Sequence, residues 1–179
     1  MTVDKNIIQQ LSYNILHKIG ICENIVIVCL GTTKIIADCF GPLVGQLLKQ
    51  QHNINCYVYG DINHSITKST LPFYFELLAK KHSNSKIIAL DCAIGKETEV
   101  GTIKTYNCGL VRRSGIDNSL GLIGDASIIG ILASNSNGIA DNFLYVQKQF
   151  VKQMAQITAN AINEYVCLCN ILSQKNELV

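Results

Sequence analysis

No stretch of this sequence carries enough charge of one sign to suggest a polyanion as partner. Charged residues make up 16 % of the 179 positions, the formal net charge is +2, and lysine and arginine form no stripe. A nucleic-acid or acidic-membrane surface would gather them, so neither partner is expected. No apolar run approaches the roughly 20 residues of a bilayer span. The stretch from Met1 to Asn6 has no basic region followed by an apolar one, so no signal peptide is expected and a cytoplasmic location is. Also missing is any CxxC pair: the eight cysteines are scattered at 22, 29, 39, 56, 92, 108, 167 and 169. That excludes a zinc ribbon or a thioredoxin-like motif, and reduced, mostly buried thiols are expected instead. Gly31-Thr32-Thr33-Lys34 fits neither G-x-x-x-x-G-K-S/T nor G-x-G-x-x-G, so phosphate binding there has little support. No histidine follows His82, and no internal repeat or linker is visible.

What is present is an apolar chain, 48 % hydrophobic, long enough for one domain with a sizeable core. One domain over 1–179 is expected, with an N-terminal helix to residue 20, a sheet core over 21–138 and a long final helix within 139–179. Ile7, Ile8, Leu11, Ile15, Leu16 and Ile19 recur at helical spacing between an Asp4 cap and a Gly20 stop. Strands are expected at 25–30, 55–59, 86–91, 102–106 and 127–133. Helices are expected from Asp38 to about Gln50, with Gly41-Pro42 in the first turn, and from Pro72 to His82, with Phe73, Leu77 and Leu78 inward. The polar stretch 61–68 and the glycine-spaced 107–125 read as loops. After an Asn137-Gly138 turn, Phe143, Val146, Phe150, Met154, Ile157, Ala161, Tyr165, Leu168 and Leu172 form a continuous stripe over 141–172. That stripe reads as core packing before a dimer face. Strand–helix alternation predicts an α/β fold, a mainly parallel sheet between helices.

Two blocks end a buried-type strand with an aspartate: 24–45, reaching Asp38, and 86–95, reaching Asp91. If the first and third strands are neighbours, the loops after them diverge and the two carboxylates face each other across a crevice. So close a pair shares one proton. One member can then act as base on water while the other polarises a carbonyl and protonates the leaving amine. Against this, Asp38 can serve merely as a helix cap and Asp91 as a turn acceptor; their equivalent positions favour the pair. Cys39 at a helix start, where the dipole lowers a thiol's pKa, and Cys92 beside Asp91 offer nucleophilic chemistry, with His64 the one histidine in reach. Burial as small apolar side chains is the commoner fate of such thiols. Two carboxylates and a histidine also suit a divalent ion. Arg112-Arg113-Ser114-Gly115 is a small basic turn able to hold a carboxylate or phosphate.

Gly31-Thr32-Thr33-Lys34, followed by Asp38-Cys39-Phe40-Gly41-Pro42-Leu43-Val44-Gly45, resembles the signature GT-x-R/K…GD-x-x-GPLVG of the YyaC family, inferred to be spore proteases. Ile88 to Gly95 resembles its IAIDACLG block, and Val100 to Ile103 and Gly124 to Ile131 fit two later stretches. The family is similar to the germination protease that degrades small acid-soluble spore proteins, and more distantly to hydrogenase maturation endopeptidases. The resemblance implies a three-layer αβα sandwich of the phosphorylase/hydrolase-like type, with a five-stranded, mostly parallel mixed sheet in which strand 100–106 is antiparallel. It further implies catalytic aspartates at Asp38 and Asp91, with Gly31, Thr32, Gly41, Pro42, Ser114 and Gly115 shaping the site, and a protein or peptide substrate such as spore proteins. A forespore or spore-interior location follows, and a homo-oligomer is left open. The maturation enzymes add a later histidine to bind nickel; this chain has none, which favours a site without metal or cofactor. Two departures stand out: Arg113-Ser114-Gly115 replaces the family's proline-glycine, and Thr33 replaces an acidic residue. A non-catalytic binding module and a metal-dependent endopeptidase are the alternatives.

Overall fold

A computed structural model describes residues 5–111, 122–134 and 141–176. The elements in chain order are α1 (Lys5–Ile19), β1 (Ile25–Cys29), α2 (Phe40–Gln50), β2 (Tyr57–Tyr59), α3 (Leu71–Lys81), β3 (Lys86–Gly95), β4 (Ile103–Tyr106), β5 (Leu110–Val111), β6 (Leu122–Ile123), β7 (Ala126–Ser134), α4 (Asp141–Leu144) and α5 (Lys148–Asn176). The main sheet is mixed and five-stranded, in the order β2-β1-β3-β7-β4. β1 runs parallel to β2 and β3, β3 runs parallel to β7, and only β4 is antiparallel.

Every residue of β1 is buried because alternate side chains enter two different cores. Ile25, Ile27 and Cys29 join the cluster built with α1, α2 and α5, while Val26 and Val28 join the smaller one under α3. This gives three layers, helices on each face of the sheet. In α1, Ile8, Leu11, Ile15 and Ile19 supply the buried stripe that the spacing predicts.

Four expectations need correcting. Phe73 is 65 % exposed, and α3 instead uses Leu71 and Leu78, with Tyr74 and Phe75 packed alongside. The inward positions 71, 74, 75 and 78 follow i, i+3, i+4, i+7 spacing, which leaves Phe73 off that face while Leu78 is inward as expected. The final helix is broken: α4 ends at Leu144 and α5 begins at Lys148. No proline or glycine marks the break. The poor helix formers Tyr145 and Val146 occupy it, with Val146 buried and Tyr145 exposed. The glycine-spaced loop contains the hairpin β5–β6. Finally, β3 does not stop at residue 91 but continues to Gly95 beside β7, with a register shift between Ala93 and Ile94. The expected Asp4 cap and Asn137-Gly138 turn lie outside the described residues.

Candidate functional site

The ladder between β1 and β3 ends at Cys29 opposite Leu90. One more bond, from Leu30 N–H to the Leu90 carbonyl at 2.8 Å, closes it. β1 then leaves the sheet while β3 runs on, so Asp91 is the first β3 residue past that ladder. Asp91 therefore lies inside a strand, not beyond its end, yet still opens onto the gap. Alternation along β3 turns Ala89 toward the α3-side core and Leu90 toward the other. Asp91 accordingly faces the α3 side and Cys92 the α2 side.

Asp38 reaches the same gap from a 3-10 turn, Ala37–Cys39, that leads into α2. Two glycines permit this approach. Gly31 has φ +131°, and a Cβ on it would collide with the Asp38 carbonyl; a Cβ on Gly41 would collide with the Leu30 carbonyl. Thr32 N–H donates to the Asp38 carbonyl at 3.1 Å. Pro42, in the first turn of α2, places its missing N–H where none is needed. Gly31, Thr32, Gly41 and Pro42 thus surround the Asp38 turn. Ser114 and Gly115, with Arg112 and Arg113, lie outside the described residues.

A carboxylate oxygen of Asp38, one of Asp91 and the Cys92 sulfur lie within 4.8 Å of one another. Cys92 touches both acids: its thiol donates to Asp38 Oδ1 at 3.7 Å, and its N–H donates to Asp91 Oδ1 at 2.8 Å. Burial pushes the Asp91 carboxyl up to about 6; the Cys92 N–H opposes this and the nearby Asp38 charge adds to it. Burial also raises Asp38, offset in part by the Cys92 thiol and the Thr32 N–H. The Cys92 thiol is itself pushed up by burial and by both carboxylates, so it stays a neutral donor rather than a nucleophile. Cys39 is likewise raised, by burial and the Asp38 charge, with Lys148 opposing; this overturns the expectation of a helix-lowered thiol. All eight cysteines are free; Cys29 and Cys169 are buried, Cys22, Cys39, Cys56 and Cys92 half-buried, and Cys108 and Cys167 exposed, so burial holds for fewer of them than expected.

The two aspartates open on a cavity of about 320 Å³. Gly31 and Thr32 form one wall; Leu30, Ile66, Thr67, Lys68, Leu71, Leu110 and Ile123 form the rest. Sequence reasoning missed this second wall. Its one local signal is Ile66, one of two isoleucines in a polar stretch, which is fully buried where Ile62 is exposed and pairs with Leu30 as an isolated bridge. His64 does not reach the cavity. Its ring and its N–H both turn to Asp61 Oδ1, at 3.2 and 2.9 Å.

The histidine-containing metal set implied by the resemblance is not met. The third donor beside the aspartates is a thiol and not an imidazole, and His64 is engaged with Asp61. The residues present do not fit that nickel site. Among the described residues, no helix is long and apolar enough to cross a membrane.

The model of DUF1256, described as a protein of unknown function, matches residues 1–165. The uncharacterized protein YyaC of Bacillus subtilis (strain 168) is 30 % identical over 141 residues, which is 78 % of this chain and 68 % of that protein. Among solved structures, the NiFe hydrogenase maturation protease HycI from Thermococcus kodakarensis KOD1 superposes with a TM-score of 0.50 at 19 % identity, over 81 % of this chain and 93 % of its own. HybD from Thermococcus kodakarensis gives 0.46 at 15 % identity, over 79 % and 97 %. At 19 % identity the likeness to HycI speaks for the α/β fold and nothing else.

Proposed function

Because the chain belongs to the DUF1256 family and is a relative of YyaC, we propose that it is a sporulation-associated peptidase of the germination-protease type, acting in the forespore or spore interior through Asp38 and Asp91. The observation that carries this reading is the meeting of two half-buried carboxylates, one raised to about 6, at the end of a cavity. Groups with such displaced titration in a cleft are candidates for acid–base work.

The surroundings assign the roles. The Cys92 thiol donates to the Asp38 carboxylate, and it and the nearby Thr32 N–H favour the charged form of Asp38. Asp91 is the more strongly raised acid and holds the shared proton. Asp38 takes a proton from water as the water oxygen attacks the peptide carbonyl carbon, while Asp91 gives its proton to the carbonyl oxygen. The resulting gem-diol collapses: Asp38 returns the proton to the leaving nitrogen, the C–N bond breaks, and one diol hydroxyl reprotonates Asp91. Protons and electrons balance over the cycle. Activity is expected to fall as pH rises through about 6, where Asp91 loses its proton, and to fall again in acid as Asp38 gains one.

A digest of candidate spore proteins with wild type, Asp38→Asn and Asp91→Asn tests the proposal. Cleavage by wild type, lost by about 100-fold or more in both variants, is expected. Equal cleavage by all three forms would dispose of the aspartate mechanism. Absence of cleavage by every form, with peptide binding retained, would favour the non-catalytic module. Stoichiometric nickel or zinc in the purified protein, needed for cleavage, would favour the metal-dependent alternative.

A further inference from the structure

Building on that peptidase reading, we propose that the recess beside the aspartates is a specificity pocket for an apolar side chain, aliphatic or aromatic, of the residue next to the bond that is cut. The recess is the unfilled end of a core. Leu30, Ile66, Leu71 and Ile123 are buried members of the α3-side cluster, and Leu110 packs against that cluster at the lip. Asp38 and Asp91 line the same cavity, so a side chain seated among these residues carries its own backbone to the carboxylates.

Charge does not compete with this. The lining carries one cation among the described residues, Lys68, and the Asp38–Asp91 pair with its one shared proton, so its formal charges balance and a charged occupant would lose hydration without gaining a net ionic partner. An apolar one removes its own surface, and that of the recess, from water. The volume of about 320 Å³ accommodates a leucine or phenylalanine side chain with adjoining backbone.

The pocket is tested without turnover, so that its fate and that of the peptidase reading separate. Full-length protein carrying Asp91→Asn is titrated with N-acetyl-leucinamide, N-acetyl-phenylalaninamide, N-acetyl-glycinamide and Nα-acetyl-lysinamide, followed by amide chemical shifts. The leucine and phenylalanine probes are expected to bind at least about 10-fold more tightly than the glycine and lysine probes, moving the amides of Ile66, Leu71 and Ile123. Leu110→Asn, at the partly exposed lip, is expected to remove most of that preference while leaving the dispersed spectrum of a folded protein. A second variant, Leu71→Asn, checks the floor. Equal binding of all four probes, or shifts confined to another surface, overturns the pocket. Preferential apolar binding with no cleavage of any peptide keeps the pocket and sinks the peptidase. Cleavage without side-chain preference does the reverse.

Discussion

Asp91→Asn gives the sharpest thermodynamic test, because its effect on stability reverses the usual expectation for a mutated buried polar residue. In the unfolded chain the Asp91 carboxyl titrates at its ordinary value of 3.8, and in the fold burial moves it to about 6. The folded protein therefore holds this proton more tightly than the unfolded chain does. Stability is fully present below pH 3.8 and is lost as pH rises through about 6. At 1.36 kcal/mol for each tenfold change, the gap from 3.8 to about 6 amounts to about 3 kcal/mol by pH 8, and to about 0.5 kcal/mol at pH 4. Asparagine has the same shape, keeps an oxygen for the Cys92 N–H, and cannot ionise. Urea unfolding of wild type and variant at pH 4 and pH 8 reads the difference. The variant is expected to gain on wild type by about 2–3 kcal/mol between the two pH values, while losing peptide cleavage. A gain that does not change with pH, or a variant less stable at pH 8 than at pH 4 relative to wild type, would refute the reasoning.

Three other perturbations probe the scaffold. Gly41→Ala drives a methyl group into the Leu30 carbonyl; a loss of about 1–3 kcal/mol is expected, and an unchanged urea midpoint would contradict the close packing of α2 on β1. Burial raises the Asp61 carboxyl, but Lys49 at 2.6 Å and the N–H groups of Asn63 and His64 outweigh it, drawing the value down to about 2. Asp61→Asn should therefore cost about 1–2 kcal/mol at pH 7, since Lys49 is 38 % exposed and screened. That cost should fade as pH falls through about 2; equal stability at pH 7 would contradict it. Cys92→Ala removes a donor from Asp38 and is expected to move the acid limb of the pH–rate profile up by about 0.4–1 pH unit. Cys92→Ser should restore it, and an unmoved limb in both would remove Cys92 from the proton inventory.

Much of this was legible in the chain, for physical reasons. Ile25 to Cys29 is buried on both faces and therefore apolar throughout, and α1 buries one stripe and therefore shows helical spacing. The resemblance singled out Gly31 and Gly41 as shaping the site, and the reason is steric: a Cβ at either would collide with a neighbouring carbonyl. Local pattern failed where neighbours decide. Asp91 continues a strand only because β7 accompanies it. Ile66 joins the cavity wall through a bridge to Leu30, and the hairpin β5–β6 forms by pairing across residues that carry no strand pattern. The Cys39 thiol illustrates the electrostatic case: its place at a helix start pointed down, and burial beside Asp38 pushes it up.

Carbon-13 NMR of aspartate-labelled protein, titrated between pH 3 and pH 9, tests most directly whether Asp38 and Asp91 share a proton. The expected result is one aspartate titrating near 6, shifting down when Asp38→Asn removes the neighbouring charge. Two aspartates titrating independently below pH 4, each indifferent to loss of the other, would contradict it.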